Sequence, residues 1–427
     1  MGRVVITGYG VINSVGHNVE DFTESLRSGK SGISTLLTIP TDTCPVKIGA
    51  EIKDFSYIDY LNSLEEISQS IYTISRKVCN NSNLSTQISS CAAIQAYLDA
   101  ELIHSLLDSS SIGIIVSGNN ISQKYIIDNY DKFLKEPEYI NPKYAISFLD
   151  TNIIGAISEI LNIKGIGYSV GGASASGNLG LYNAYQLIQA GTVKACLCVG
   201  ALADFSELEL KAFSILGAMT GQTFNDQPEK ASRPFDKKHD GFVFGQGSGC
   251  VVLESMESAL SRDVQIRGEI VSAASGLDGN HLTNPSIEGE IKVMQSVLQE
   301  TGITTKEIDY INTHGTSSPL GDITELDAIK HVFKECVKSI HINSTKSLIG
   351  HCIYSAGVVE LIATLIQMKE GFYHPDINLD DPIDRQVNFV GKKVLTDVKI
   401  NYALSNSFGF GGINSSILVK NQKCLNR

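Results

Sequence analysis

Short β-rich runs alternate with longer helical stretches along all 427 residues, and this alternation restricts the fold more than any other feature. Strand candidates are residues 3–8, 112–117, 195–200, 249–253, 266–274, 310–313 and 417–420. Helix candidates are 19–28, 84–107, 176–190, 287–301, 321–333 and 356–368. Such an order predicts an α/β architecture in which helices are layered on sheets. A charged helix, "ESMESALSRD", separates two of the strands, and we divide the chain there into halves, 1–257 and 258–427. Each half opens on a similar strand, "RVVITGYG" or "RGEIVSAASG", a faint sign of internal duplication.

Composition narrows the class. With 42% hydrophobic and 19% charged residues the chain reads as an ordinary soluble globular protein. A net charge of −12 argues against nucleic acid as the main partner, so an acidic partner would need a local basic patch. No apolar run is long enough to span a bilayer, and the N-terminus reads as a strand rather than a secretory signal. Nine cysteines without metal-ligand spacing or a disulfide framework read as reduced thiols of a cytoplasmic protein that binds no metal.

Chemistry is concentrated in four stretches. "GYSVGGASASGNLG" reads as strand, sharp bend and helix, a geometry that lifts Ser174 out of the backbone and aims helix N–H groups at it. "NTHGTSSPLGD" places His314 just after an apolar strand. "NSTKSLIGHCIYSAG" carries Lys346 and His351 around a glycine before a helix. "SNSFGFGGINSS" is a glycine-rich turn holding Phe408 and Phe410. Taken singly each has a plainer reading, as loop or core. The "GQGSG" run at 245–249 imitates part of a dinucleotide fingerprint, but it leads into the strand "CVVLE" rather than a helix, so that reading is rejected.

In this order, and together with "RPFDKKHDGFVFGQGSGCVVLE", the motifs resemble the β-ketoacyl-acyl-carrier-protein synthases of the thiolase superfamily. The resemblance runs from "RVVITGYGVINSVG" to "NSSILVK". It implies a thiolase-like five-layered αβαβα fold of two similar halves, a homodimer, and an active site at the base of a pantetheine tunnel. It assigns His314, His351 and Lys346 to the catalytic set. Thr316 and Ser318 would hold the pantetheine arm, with Ser318 standing where threonine is usual. Phe408 would be the gate, its N–H and that of Ser174 forming the oxyanion hole. Asp322 and Glu360 would brace the loops carrying His314 and Lys346. Arg76 and Lys77 in "ISRKVCNN" would dock an acidic acyl carrier protein, although Asn80 and Asn81 replace further cations; a solvated helix face is the plainer alternative.

The family nucleophile is a cysteine, and this chain reads Ala173-Ser174-Ala175. A thiol of pKa about 8.5 yields thiolate at a helix N-terminus, whereas a hydroxyl needs an oriented general base. No carboxylate stands in triad order, so acylation of Ser174 is disfavoured. Decarboxylation of a malonyl thioester needs no nucleophile, only donors for the developing enolate oxygen, and His314 and His351 can supply them. The pattern is similar to the serine-for-cysteine decarboxylating ketosynthases of polyketide β-branching cassettes. These convert malonyl-carrier protein to acetyl-carrier protein without condensation, with phosphopantetheine as the substrate's own arm and no cofactor. A non-catalytic partner subunit like the chain-length factors, a serine-dependent acyltransferase or esterase, and a weakly elongating synthase remain as other readings.

Overall fold

The computed structural model describes residues 2–425. Ten strands form one continuous sheet: β1 (Val4–Asn13), β2 (Ile112–Ser117), β3 (Gly167–Val170), β4 (Ala195–Gly200), β5 (Gly247–Ser255), β6 (Gly268–Leu277), β7 (Tyr310–Asn312), β8 (His341–Asn343), β9 (Tyr402–Gly409) and β10 (Ile413–Asn421). Their spatial order is β8-β7-β9-β10-β6-β1-β5-β4-β2-β3. Read outward from the centre, β1-β5-β4-β2-β3 and β6-β10-β9-β7-β8 are the same arrangement, with the same parallel and antiparallel pairings. The two similar opening strands are β1 and β6. They pair antiparallel at Val4–Ile270, Val5–Glu269 and Ile6–Gly268, so the halves share one sheet.

Seven helices complete the frame: α1 (Gln69–Cys79), α2 (Leu84–Asp99), α3 (Thr151–Leu161), α4 (Ser176–Gln189), α5 (Ile287–Thr301), α6 (Pro319–Phe333) and α7 (Ala356–Glu370). Helices α2 and α3 cover the outside of the first half, and α5 and α6 cover the second. Between the halves α4 and α7 pack on each other and on strands of both. The layers are therefore αβαβα, a thiolase-like fold. Helix α7 is buried from Ala356 to Met368, which explains why it is apolar all round rather than amphipathic. Strands β1, β2 and β4 are buried on both faces and read as continuous apolar or small runs.

Several elements differ in extent from the sequence reading. Strand β1 continues past Gly8 to Asn13. Its glycines are there because α2 lies against the strand: a Cβ at Gly8 would meet the Ala96 carbonyl at 2.6 Å, and one at Gly10 the Ala92 carbonyl at 2.5 Å. The helix expected over 84–107 ends at Asp99, whose carboxylate accepts the Tyr9 N–H and bonds Arg267, and Glu101 turns left-handed. Strands β8 and β9 were not expected; both are short of the alternation that marks a half-exposed strand, since β9 is buried from Ala403 to Phe408. The "ESMESALSRD" segment does form a helix, Met256–Ser261, between β5 and β6.

Candidate active site

Strand β3 runs into Gly171 and Gly172, a tight turn follows over Ala173–Ala175, and α4 begins at Ser176. This is the expected strand, bend and helix. Ala173 adopts φ 48°, a left-handed conformation that costs a non-glycine residue about 1–3 kcal/mol. Ser176 holds the bend, accepting the Gly172 N–H at 2.9 Å and donating to the Ala173 carbonyl at 2.7 Å. The end of β9 closes over it: a Cβ on Gly409 would meet the Gly172 carbonyl at 2.3 Å and the Ser174 nitrogen at 3.3 Å. Ser174 is thus half-buried at the N-terminal end of α4.

His351 reaches Ser174 from the opposite side. Its backbone is clamped to the "GFVFG" segment, with the His351 N–H on the Val243 carbonyl at 2.7 Å and the Gly245 N–H on the His351 carbonyl at 2.9 Å. Its ring Nε2 lies 2.8 Å from Ser174 Oγ. The Ile353 N–H donates to Nδ1 at 3.2 Å, so Nδ1 carries no proton. Burial and the Lys346 charge hold the imidazole neutral by pushing its pKa well below the usual histidine value. A neutral ring with a bare Nδ1 carries its proton on Nε2. His351 therefore donates to Ser174 and has no lone pair with which to deprotonate it.

His314 follows β7 and stands 5.6 Å from His351 and 5.8 Å from Phe408, ring centre to ring centre, edge-on to both. Burial, Lys346 and His351 together push its pKa well down as well. Its loop is fixed by Glu325 of α6, which accepts the His314 N–H at 2.8 Å and the Gly315 N–H at 2.7 Å. Burial raises the Glu325 carboxyl to about 7 against these two bonds. Glu325 was missed from the sequence, although it shares a helix face with Asp322, three residues earlier, and that spacing is a usable signal. Asp322 accepts the Ser317 N–H at 3.1 Å and the Phe235 N–H at 2.8 Å and contacts His239 Nδ1 at 2.9 Å, so it braces the same loop.

Lys346 opens a short helix, Lys346–Ile349, and its ammonium pairs with Glu360 of α7. Both side chains are almost wholly buried. Lys346 does not line the cavity wall but lies behind it, held by Glu360 as the resemblance implies. Burial first, and then the Lys346 charge, keep both histidines neutral.

Ser174, His314, His351, Phe408, Thr316 and Ser318 all line one cavity of about 460 Å³. The Thr316 hydroxyl donates to Ser318 Oγ at 2.9 Å. Among the described residues, no cysteine, lysine or arginine lines this cavity. All nine cysteines are free thiols and seven are buried, so none offers a substitute nucleophile there. Arg76 and Lys77 lie on α1, away from the wall; Arg76 bonds the Tyr72 hydroxyl at 2.8 Å and Lys77 bridges Glu159 at 2.9 Å. Among the described residues no cluster of histidine, cysteine, aspartate or glutamate is arranged to hold a metal, and no helix is long and apolar enough to cross a membrane.

A fold of two matched halves with an elbow and two histidines on one cavity defines a ketosynthase-type enzyme. Residues 1–259 match the beta-ketoacyl synthase N-terminal domain and 267–380 the beta-ketoacyl synthase C-terminal domain, so the chain belongs to the beta-ketoacyl synthase family. It is 38% identical over 424 residues to the polyketide biosynthesis malonyl-ACP decarboxylase PksF of Bacillus subtilis (strain 168), covering 99% of this chain and 97% of that protein. It is 33% identical to a 3-oxoacyl-[acyl-carrier-protein] synthase 2 of Synechocystis, covering 98% of each. Among solved structures, the ishigamide ketosynthase/chain length factor superposes with TM-score 0.86 at 27% identity, covering 98% of this chain and 99% of that one. A type II polyketide synthase ketosynthase in complex with its acyl-carrier protein superposes with TM-score 0.84 at 26% identity, covering 98% and 99%.

Proposed function

We propose that this protein decarboxylates malonyl-acyl-carrier protein to acetyl-acyl-carrier protein without condensation, in a polyketide β-branching cassette. One observation carries the reading: the imidazole nearest Ser174 donates to the hydroxyl and cannot take its proton. The site can therefore stabilise an oxyanion, and the ring hydrogen-bonded to Ser174 does not act as the base that would make serine a nucleophile. When the malonyl carboxylate leaves as carbon dioxide, its bonding pair moves into the thioester and charge grows on the carbonyl oxygen. His351 and His314 line the same cavity, and their ring N–H groups would donate to that oxygen. Both are neutral, His351 buried and His314 half-buried, so their dipoles act in a largely desolvated site where such donors are worth most. Ser174 fills the nucleophile's place and receives the His351 bond until substrate arrives. The full-length likeness to the decarboxylase PksF supports the same assignment.

The test is carbon dioxide release from malonyl-carrier protein labelled at its free carboxyl, with no acyl donor present. Labelled carbon dioxide is the expected product; its absence with folded protein would refute the proposal.

Thr316 and Ser318 are proposed to hold the pantetheine arm, and Phe408 to gate it. Docking of the acidic carrier on Arg76 and Lys77 is part of the same proposal. Reversing both charges should raise the KM for malonyl-carrier protein and leave kcat unchanged, and an unchanged KM would remove them from the docking surface. A homodimer is proposed as well. Among the described residues, strand β3 ends the sheet with its outer edge unpaired and half exposed, the kind of edge that a second copy covers. Sedimentation at a one-chain mass would refute the dimer.

A further inference from the structure

Loss of carbon dioxide leaves a carbon that must gain a proton before an acetyl group exists. One malonyl thioester carboxylate and one proton give one acetyl thioester and one carbon dioxide. A condensing enzyme uses the same electron pair to form a carbon–carbon bond and needs no acid at that carbon. A decarboxylase does. Ser174 and the two neutral imidazoles are poor sources, because giving up a proton would leave an alkoxide or an imidazolate.

One group on the wall is better suited. Glu290, in the first turn of α5, is 1% exposed and contributes to the cavity wall, and among the described residues its Oε2 has no hydrogen-bond partner. The titratable groups facing it are Asp278, beyond the end of β6, and Glu325 of α6. Asp278 is engaged by Asn414 of β10 at 2.6 Å, and Glu325 by the His314 and Gly315 N–H groups. Among the described residues no lysine or arginine bridges Glu290. The helix N-terminus favours its charged form. Burial, reinforced by the two carboxylates, opposes this and raises its pKa well above the usual value, which favours the protonated carboxyl.

We infer that Glu290 is the acid that protonates the enolate carbon, directly or through one water in the cavity; the inference rests on the decarboxylase reading. The enolate's electron pair forms the new C–H bond as the Glu290 O–H bond breaks. The carboxylate left behind takes a replacement proton from solvent through the cavity mouth. This assigns a role to a wall residue that an oxyanion site alone leaves unused.

Glu290→Gln keeps the shape and removes the acid. Wild type and variant are compared on malonyl-carrier protein in mixed H2O and D2O, reading both rate and the deuterium content of the acetyl product. The variant is expected to be slower by on the order of 10²-fold, the usual contribution of a positioned acid. Its product should also carry a different deuterium fraction, because water has replaced a carboxyl as donor. A structural role for Glu290 would not move that fraction. An unchanged fraction overturns the inference whatever the rate. Glu290→Ala serves the same comparison if the glutamine variant does not fold. Wild type that forms no acetyl product would overturn the decarboxylase reading beneath it, a result distinct from an active wild type with an indifferent variant.

Discussion

Replacing either His314 or His351 with alanine is expected to lower the rate of acetyl-carrier formation by on the order of 10²–10³-fold, the usual effect of removing one oxyanion donor. Ser174→Ala should lower it by less than about tenfold, because it removes one neutral hydrogen bond. The contrast follows from the direction of the 2.8 Å contact. His351 donates a hydrogen bond to the serine oxygen, so deleting the oxygen frees the donor and deleting the ring removes it. Single-turnover rates on malonyl-carrier protein check both changes under the same conditions. A serine variant as impaired as either histidine variant would reinstate a covalent step.

Ser174→Cys is expected to turn an inert position into an acylatable one. The bend and the start of α4 are already in place, and the His351 Nε2–H would point at the new sulfur. A donor in that position disfavours alkoxide formation by leaving no base, yet it stabilises a thiolate whose pKa begins at about 8.5. Peptide mapping after incubation with acyl-carrier protein should find the acyl group on residue 174 of the variant and none on the wild type. Full elongation need not return, since the acyl side of the cavity is not thereby reshaped. Acylation of wild-type Ser174 at a comparable rate would favour the serine-dependent acyltransferase.

The chain announces its fold through order more than through any one motif. Strand β3, its bend and α4 were legible because glycine, alanine and serine leave few other conformations for an apolar run leading into a helix. The duplication was nearly invisible in sequence. Only "RVVITGYG" and "RGEIVSAASG" hint at it, whereas the structure repeats a whole five-strand order around β1 and β6. Strand order is set by long-range pairing, which local propensity does not encode. Short buried strands such as β8 give no period-two signal to find.

Site residues divide along a similar line. Ser174, His314, His351, Thr316, Ser318 and Phe408 were named from their motifs, and all of them line one cavity. Lys346 joins them through the resemblance, which also implies Glu360 as its brace; the two pair behind the wall, and that depth is set by tertiary packing. Glu325 and Glu290 escaped notice because a carboxylate on a helix is ordinarily solvated. Their burial marks them out, and for Glu325 the three-residue spacing from Asp322 is the one sequence signal. The tautomer of His351 was equally out of reach, since it depends on a backbone N–H from Ile353, where the chain turns left-handed at φ 52°.

The most direct test of the central claim is the intact mass of the carrier after incubation of malonyl-carrier protein with the purified wild-type protein alone. The account predicts conversion of the malonyl species to the acetyl species, with no acyl group on Ser174 and no elongated product. A malonyl species unchanged over hours, with the protein shown to be folded, would contradict it and favour a non-catalytic partner subunit.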